Sequence, residues 1–235
     1  MIRAFSRAFQ QLPEPALRRY LVISVVATLV AFLLLWGAAV AALGATSIPS
    51  FELFDRTWDF DFVADVAGAL AAFVLLGLMF PALLILIVGF FLEDVAQVVE
   101  DRHYPALGRG RDQSVPEMIV LMAKFAALSI VLNLLALPLF LLLIFLPPLN
   151  LFVFYAVNGY LLGREYYELV AHRRLDPTAA LRLRRAYGGH LFVAGVVIAV
   201  MMSVPGLNLI VPVIATAAMV HLVHGWRAHR GEVGR

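Results

Sequence analysis

No cysteine occurs among the 235 residues, which excludes disulfides, thiol catalysis and iron–sulfur ligation and leaves the compartment open. Charge is scarce as well. Asp, Glu, Lys and Arg make up 14% of the chain, against about 25% in soluble domains, and Lys124 is the only lysine. No charged residue lies between Phe125 and Gly163, and between Ala186 and Trp226 only histidines interrupt the apolar sequence. So few acids at membrane depth argue against a carboxylate proton relay. No G-x-S-x-G, H-E-x-x-H, Walker or dinucleotide fingerprint is present, which disfavours an enzyme. What remains is apolar: 63% hydrophobic residues and a mean hydropathy of +0.91. Several uncharged runs approach or exceed the roughly 20 residues of a bilayer crossing. The pI is about 9.1, but the net charge is only +2, so nucleic acid is not expected as a partner. Basic residues gather at the ends of the apolar runs, as topology determinants do. The expectation is an all-α integral membrane protein, a single membrane domain over residues 1–235.

Residues 1–12 place Ile2, Phe5, Phe9 and Leu12 at helical spacing, with Arg3, Arg7 and Gln10 largely elsewhere. That pattern predicts an interfacial helix, which Pro13 and Pro15 end; Pro15 suits the first turn of the next helix. Residues 16–43 are long enough to cross the bilayer. The run Tyr20–Leu43 also exceeds the 7–15 residues of a signal-peptide core, so a cleavable signal is not expected. Residues 44–65 carry Glu52, Asp55, Asp59, Asp61 and Asp65 against one Arg56, and the positive-inside rule puts them outside. A second long helix is predicted over 66–104, kinked at Pro81 and projecting into the cytoplasm until Pro105. Ser114, Pro116 and Glu117 signal another helix start.

Two apolar helical hairpins follow, at 117–172 and 189–228. Their internal turns match: "PPLNL" at 147–151 and "PGLNL" at 205–209, 58 residues apart, an internal repeat. Each has one short arm. Leu149 to Gly163 would span about 22 Å and Leu191 to Val204 about 21 Å as helix, less than a roughly 30 Å hydrocarbon core. The tips also lack charged or aromatic anchors. Re-entrant, half-membrane hairpins are therefore favoured over tilted full crossings. Between them, Asp176 as N-cap and Pro177 at the first helical position start a short basic interfacial helix over 177–187.

Irregular backbone at membrane depth must be buried in protein or line a wet cavity. Asn150 and Asn208 at the two tips are thus pore candidates, with capping of the following helix as the plainer alternative. Arg164 and Glu165 point to different sides of a helix, as a gate or as structural ion-pair members. Lys124 is expected to snorkel. His221 and His224 have i,i+3 spacing with no acid nearby in sequence, so neither a metal nor any other cofactor is expected; Ser129 and Ser203 lack a partner pattern. Arg18 and Arg19 have two readings. They are topology anchors, or they hold an oxyanion, since guanidinium groups bind tetrahedral anions in bidentate fashion and a helix N-terminus lies beside them.

The order and spacing of "ALRRYLVIS", "FLEDVAQVVEDRHYPAL", "NGYLLGREYYELVAHRR" and "PGLNLIVPVIATAAMVHLVHG" resemble the CysZ sulfate transporters, whose wider family includes the eukaryotic etoposide-induced membrane proteins. The resemblance spans nearly the whole chain. It implies a multi-pass protein of the bacterial inner membrane, both termini cytoplasmic, that takes up sulfate for cysteine biosynthesis. It also implies two long transmembrane helices with half-membrane hairpins, assembled as a homo-oligomer. The implied ligand is sulfate, with sulfite and related oxyanions as neighbours in chemistry. The family's sulfate-binding motif, Gly-Leu-Arg commonly followed by a second Arg, falls here on Leu17, Arg18 and Arg19, with Ala16 in place of the Gly. An acidic outer loop would repel sulfate and runs against this reading, unless screening or an entrance elsewhere offsets it. The competing functions are a membrane scaffold without transport and an enzyme acting on lipid.

Overall fold

A computed structural model describes residues 1–44, 51–53, 56–58, 61–111 and 115–231. Asp55 and Asp59 of the acidic stretch and the Ser114 helix-start signal lie outside the described residues. Helices dominate: α1 (Ile2–Gln11), α2 (Pro15–Gly44), α3 (Asp61–Gly89), α4 (Leu92–His103), α5 (Val115–Leu142), α6 (Pro147–Ala171), α7 (Pro177–Ala186), α8 (Gly188–Met202) and α9 (Val211–His229). One short antiparallel pair, β1 (Phe51–Leu53) and β2 (Arg56–Trp58), joins α2 to α3. Two helical segments are long and apolar enough to cross a membrane, Pro15–Gly44 and Ala123–Leu142. Two bent helix pairs would raise that number to four. The chain divides into two compact units, Met1–Arg18 with Phe91–Arg235, and Arg19–Phe90.

In the smaller unit α2 and α3 meet through aromatic side chains. Phe32 sets its ring edge-to-face on Phe73 at 5.4 Å and on Phe80 at 6.2 Å, and Trp36 does the same to Phe73 at 5.6 Å. The Trp36 indole N–H donates to the Ala69 carbonyl at 3.0 Å, which satisfies the one polar atom of an otherwise apolar side chain. Leu33, Leu34, Leu75 and Leu78 point outward, as lipid-facing residues do. The α3 helix bends by 49° between Phe80 and Ala82, where Pro81 lacks the N–H of a regular turn. The continuous helix expected over 66–104 is interrupted: Gly89 ends α3, Phe90 and Phe91 form a turn, and helix resumes at Leu92.

In the larger unit α9 is the centre, with 15 of its 19 residues buried. Helices α1, α4 and α6 pack on it. The tightest crossing joins the two hairpins. A Cβ added to Gly195 of α8 would sit 1.8 Å from the Gly159 carbonyl oxygen of α6 and 2.6 Å from the Gly163 nitrogen. Only hydrogen at these positions lets the backbones approach so closely, the small-residue packing of membrane helices.

The two repeated turns differ for a local reason. Gly206 takes φ +80°, a left-handed conformation open to glycine, and a 3₁₀ turn at Leu207–Leu209 precedes α9. The equivalent residue in the first hairpin is Pro148, whose ring fixes φ near −65°, so "PPLNL" runs straight into α6. Helix α7 begins as Asp176 accepts from the backbone N–H groups of Thr178 (2.8 Å) and Ala179 (2.9 Å), and lies at 84° to α8.

Candidate functional site

The arginine pair lies on the first turn of α2. The Arg18 N–H donates to the Glu14 carbonyl at 2.9 Å, so the helical ladder is established by this point. Leu17 is 1% exposed while Arg18 and Arg19 are both exposed. The buried leucine anchors the turn, and neither guanidinium has an ion-pair partner among the described residues. Ala16 is exposed too.

Just ahead of this turn, Arg7, Gln10, Gln11, Glu14, His103 and Tyr104 enclose a polar cleft of about 400 Å³. Its inner wall is a hydrogen-bonded relay. The Gln11 amide nitrogen lies 2.8 Å from His103 Nε2 and 2.9 Å from His221 Nε2. An amide NH₂ has two protons, so it donates to both rings. That arrangement leaves the His221 proton on Nδ1, which donates to the Tyr104 hydroxyl oxygen at 3.0 Å. Gln11 belongs to the face of α1 that packs on the protein. Ala4, Phe5, Ala8 and Gln11 are buried, whereas Ile2 is 87% exposed and Phe9 also points outward. Glu14 at the rim pairs with Arg102 at 3.1 Å.

Beneath lies Glu100, fully buried. Arg174 contacts both carboxylate oxygens, at 2.8 Å and 3.3 Å; Arg173 approaches at 3.4 Å, and His224 Nε2 donates at 2.9 Å. Burial alone would push this carboxyl up. The His224 hydrogen bond, the Arg174 bonds and charge, and the Arg173 charge outweigh it and hold the group at about 2. Arg174 also donates to the carbonyls of Leu107 (2.8 Å), Gly108 and Arg109 (3.3 Å). Glu100 thereby ties α4, the end of α6, α9 and the segment 105–109 together. Gly108, at φ +62°, makes the turn that aims those carbonyls.

Arg164 finds its partner one turn along its own helix: Nε donates to Glu168 at 2.6 Å, and Arg184 of α7 joins the same oxygen at 2.8 Å. Glu165 is exposed and takes no part in this cluster. At the first hairpin turn, Asn150 Nδ2 donates to the Phe140 carbonyl at 3.4 Å; Leu146, not Asn150, is the N-cap of α6. Asn208 sits half-buried in the 3₁₀ turn, and Ile210 is the N-cap of α9. His221 and His224 face separate partners, the first Gln11 and Tyr104, the second Glu100.

The structure thus brings Glu100, Arg173, Arg174 and His224 into one buried cluster, and Gln11, His103, Tyr104 and His221 into another beside it. Apart from His221 and His224, weighed only for their spacing, none of these stood out in the sequence, although one signal was there. Glu100 shares the inward face of α4 with Leu92, Val95, Ala96 and Val99, and a carboxylate on an apolar stripe demands a cationic partner.

Long apolar helices and helical hairpins packed through glycines define a helical membrane protein, with an arginine pair near the start of α2 that has no ion-pair partner among the described residues. The chain belongs to the sulfate transporter CysZ/etoposide-induced protein 2.4 family, whose model matches residues 4–212. That match takes in α1 and the arginine pair and ends at the second residue of α9, so His221 and His224 lie beyond it. No curated protein matches the chain.

Proposed function

We propose that this protein carries sulfate across the bacterial inner membrane, as a channel or permease, to supply cysteine biosynthesis. The family assignment supports an anion such as sulfate as the substrate, and one observation supports the site: Arg18 and Arg19 stand exposed, with no acidic partner among the described residues, near the start of α2. There, free backbone N–H groups and the positive helix end add to two guanidinium forks. Leu17 holds the turn by its burial. Ala16 adds a methyl group where the family motif has glycine and the backbone would approach the anion, so binding weaker than with glycine is expected at this position.

In this reading both termini face the cytoplasm, and the acidic stretch 44–65 faces outward. The α5–α6 and α8–α9 hairpins enter from the cytoplasm and turn within the bilayer. The 15-residue α8, at about 22 Å, is shorter than the hydrocarbon core and supports such a turn at Asn208; Asn150 would occupy the equivalent tip. Irregular backbone at that depth calls for burial in protein, which a homo-oligomer provides. The transported ion passes without covalent chemistry, and the reading is of a transporter rather than an enzyme. Uptake of radiolabelled sulfate into vesicles containing the purified protein tests it. Uptake above that of empty vesicles, reduced by excess unlabelled sulfate or sulfite and unaffected by chloride, is expected. Flux equal to empty vesicles would replace transport with a scaffold role.

A further inference from the structure

A second cationic site lies away from the α2 arginines, where α5, α6 and α7 meet. Lys124, Arg164, Arg184, His172 and Glu168 line a cleft of about 180 Å³ there. Three permanent cations face a single carboxylate. Arg164 Nε and Arg184 Nη1 both use one oxygen of Glu168, at 2.6 and 2.8 Å. The terminal nitrogens of Arg164, the other donors of Arg184 and the Lys124 ammonium have no partner among the described residues. Arg164 and Arg184 are only 18% and 26% exposed, so partly desolvated donors point into a hollow with two positive charges in excess. The helix end is not the attraction, because Asp176 already accepts from the first N–H groups of α7.

The surroundings indicate what fills it. Lys124 is the second residue of the apolar segment Ala123–Leu142, so the cleft sits at the level where a membrane span gives way to headgroups. Arg184 also borders a neighbouring cavity of about 230 Å³, whose other walls are Tyr160, Arg185, Gly188, Leu191 and Phe192. A cationic cleft sharing one arginine with a mostly apolar slot matches a molecule with a phosphate at one end and hydrocarbon at the other. We infer that the Lys124–Arg164–Arg184 cleft holds a tetrahedral phosphate oxyanion, contributed by the headgroup of an anionic phospholipid whose chain lies along Tyr160, Leu191 and Phe192. Guanidinium forks supply the phosphate recognition, and a basic recess between membrane helices supplies the location.

The test uses the full-length protein in detergent, titrated with phosphatidylglycerol, phosphatidylcholine or inorganic phosphate, with the thermal midpoint as readout. Phosphatidylglycerol should raise the midpoint in a saturable manner and phosphatidylcholine should not. Lys124→Gln combined with Arg184→Gln leaves the Arg164–Glu168 pair in place. It should elute like the parent on size exclusion and need roughly tenfold more phosphatidylglycerol for the same rise. If that double variant fails to fold, Lys124→Gln alone, at an exposed residue, should show the same change to a smaller degree. A rise with inorganic phosphate as large as with the lipid would keep the oxyanion site and overturn the lipid as its source. Equal responses to the two phospholipids, or a parent-like response in a folded variant, would overturn the site.

Discussion

Replacing Glu100 by glutamine keeps the shape of the side chain and removes its charge, leaving Arg173, Arg174 and His224 around a neutral amide. The size of the effect follows from the carboxyl itself. Its environment lowers it from 4.5 to about 2, and one unit is worth about 1.36 kcal/mol, so the charged form stabilises the fold by about 3 kcal/mol. That agrees with the roughly 3–5 kcal/mol lost when one member of a buried ion pair is removed. For a chain of this length each kcal/mol moves the thermal midpoint by about 2–4 °C, so Glu100→Gln should melt about 6–12 °C lower at neutral pH. The pH dependence has a definite sign. A carboxylate depressed in the folded state stabilises above its unfolded value of 4.5 and loses that contribution as pH falls toward about 2. The gap between parent and variant should therefore be constant from neutral pH to about pH 5 and narrow below it. Thermal unfolding in one detergent across this range measures both. A midpoint within about 1 °C of the parent at pH 7, or a gap that widens on acidification, would refute the assignment of Glu100 as the charged centre of the cluster.

Gly195→Ala should destabilise the α6–α8 crossing by about 1–3 kcal/mol or more, because overpacking forces the helices apart and the methyl would meet the Gly159 carbonyl; a thermal midpoint equal to the parent would contradict the crossing. Since the chain has no cysteine, single replacements report topology directly. A membrane-impermeant thiol reagent added from outside should label Ser50→Cys and leave Asn150→Cys and Asn208→Cys unlabelled, whereas labelling of either as strong as at Ser50→Cys would defeat the re-entrant hairpins.

The parts of the fold legible in sequence are those decided over short distances. The apolar run behind α2, the bend at Pro81 and the Asp176–Pro177 helix start each depend on a few neighbouring residues, and each is present. Arg164 and Glu165 are expected to point to different sides of their helix; the ion pair of Arg164 is with Glu168 at i+4, a partner the sequence reading does not single out. Longer-range features were out of reach. Glu100 meets Arg174 from 74 residues away and His224 from 124 residues away, and no local pattern announces either distance. The i,i+3 spacing of His221 and His224 named none of their partners: His221 hydrogen-bonds Gln11 and Tyr104, and His224 hydrogen-bonds Glu100. On α1, the apolar spacing groups Ile2, Phe5, Phe9 and Leu12; Ile2 and Phe9 are exposed, and Phe5 is buried together with Gln11, whose partners His103 and His221 lie far along the chain. The glycines at 159 and 163 form a small-xxx-small spacing visible in the sequence; that Gly195 opposes them is a tertiary fact.

The central claim is that Arg18 and Arg19 recognise sulfate by guanidinium geometry and not by charge alone. Arg18→Lys combined with Arg19→Lys preserves both positive charges, so the positive-inside signal and membrane insertion should survive. Lysine replaces each planar fork with a point charge. Charge-assisted hydrogen bonds are worth about 1.5–3 kcal/mol each, so losing one or two should weaken binding by roughly tenfold or more. Calorimetric titration of sulfate into the parent and the double-lysine protein, each folded and reconstituted alike, is the direct measurement. A drop in affinity of about tenfold or more is predicted; equal affinities would show that the pair supplies only charge and serves as a topology anchor.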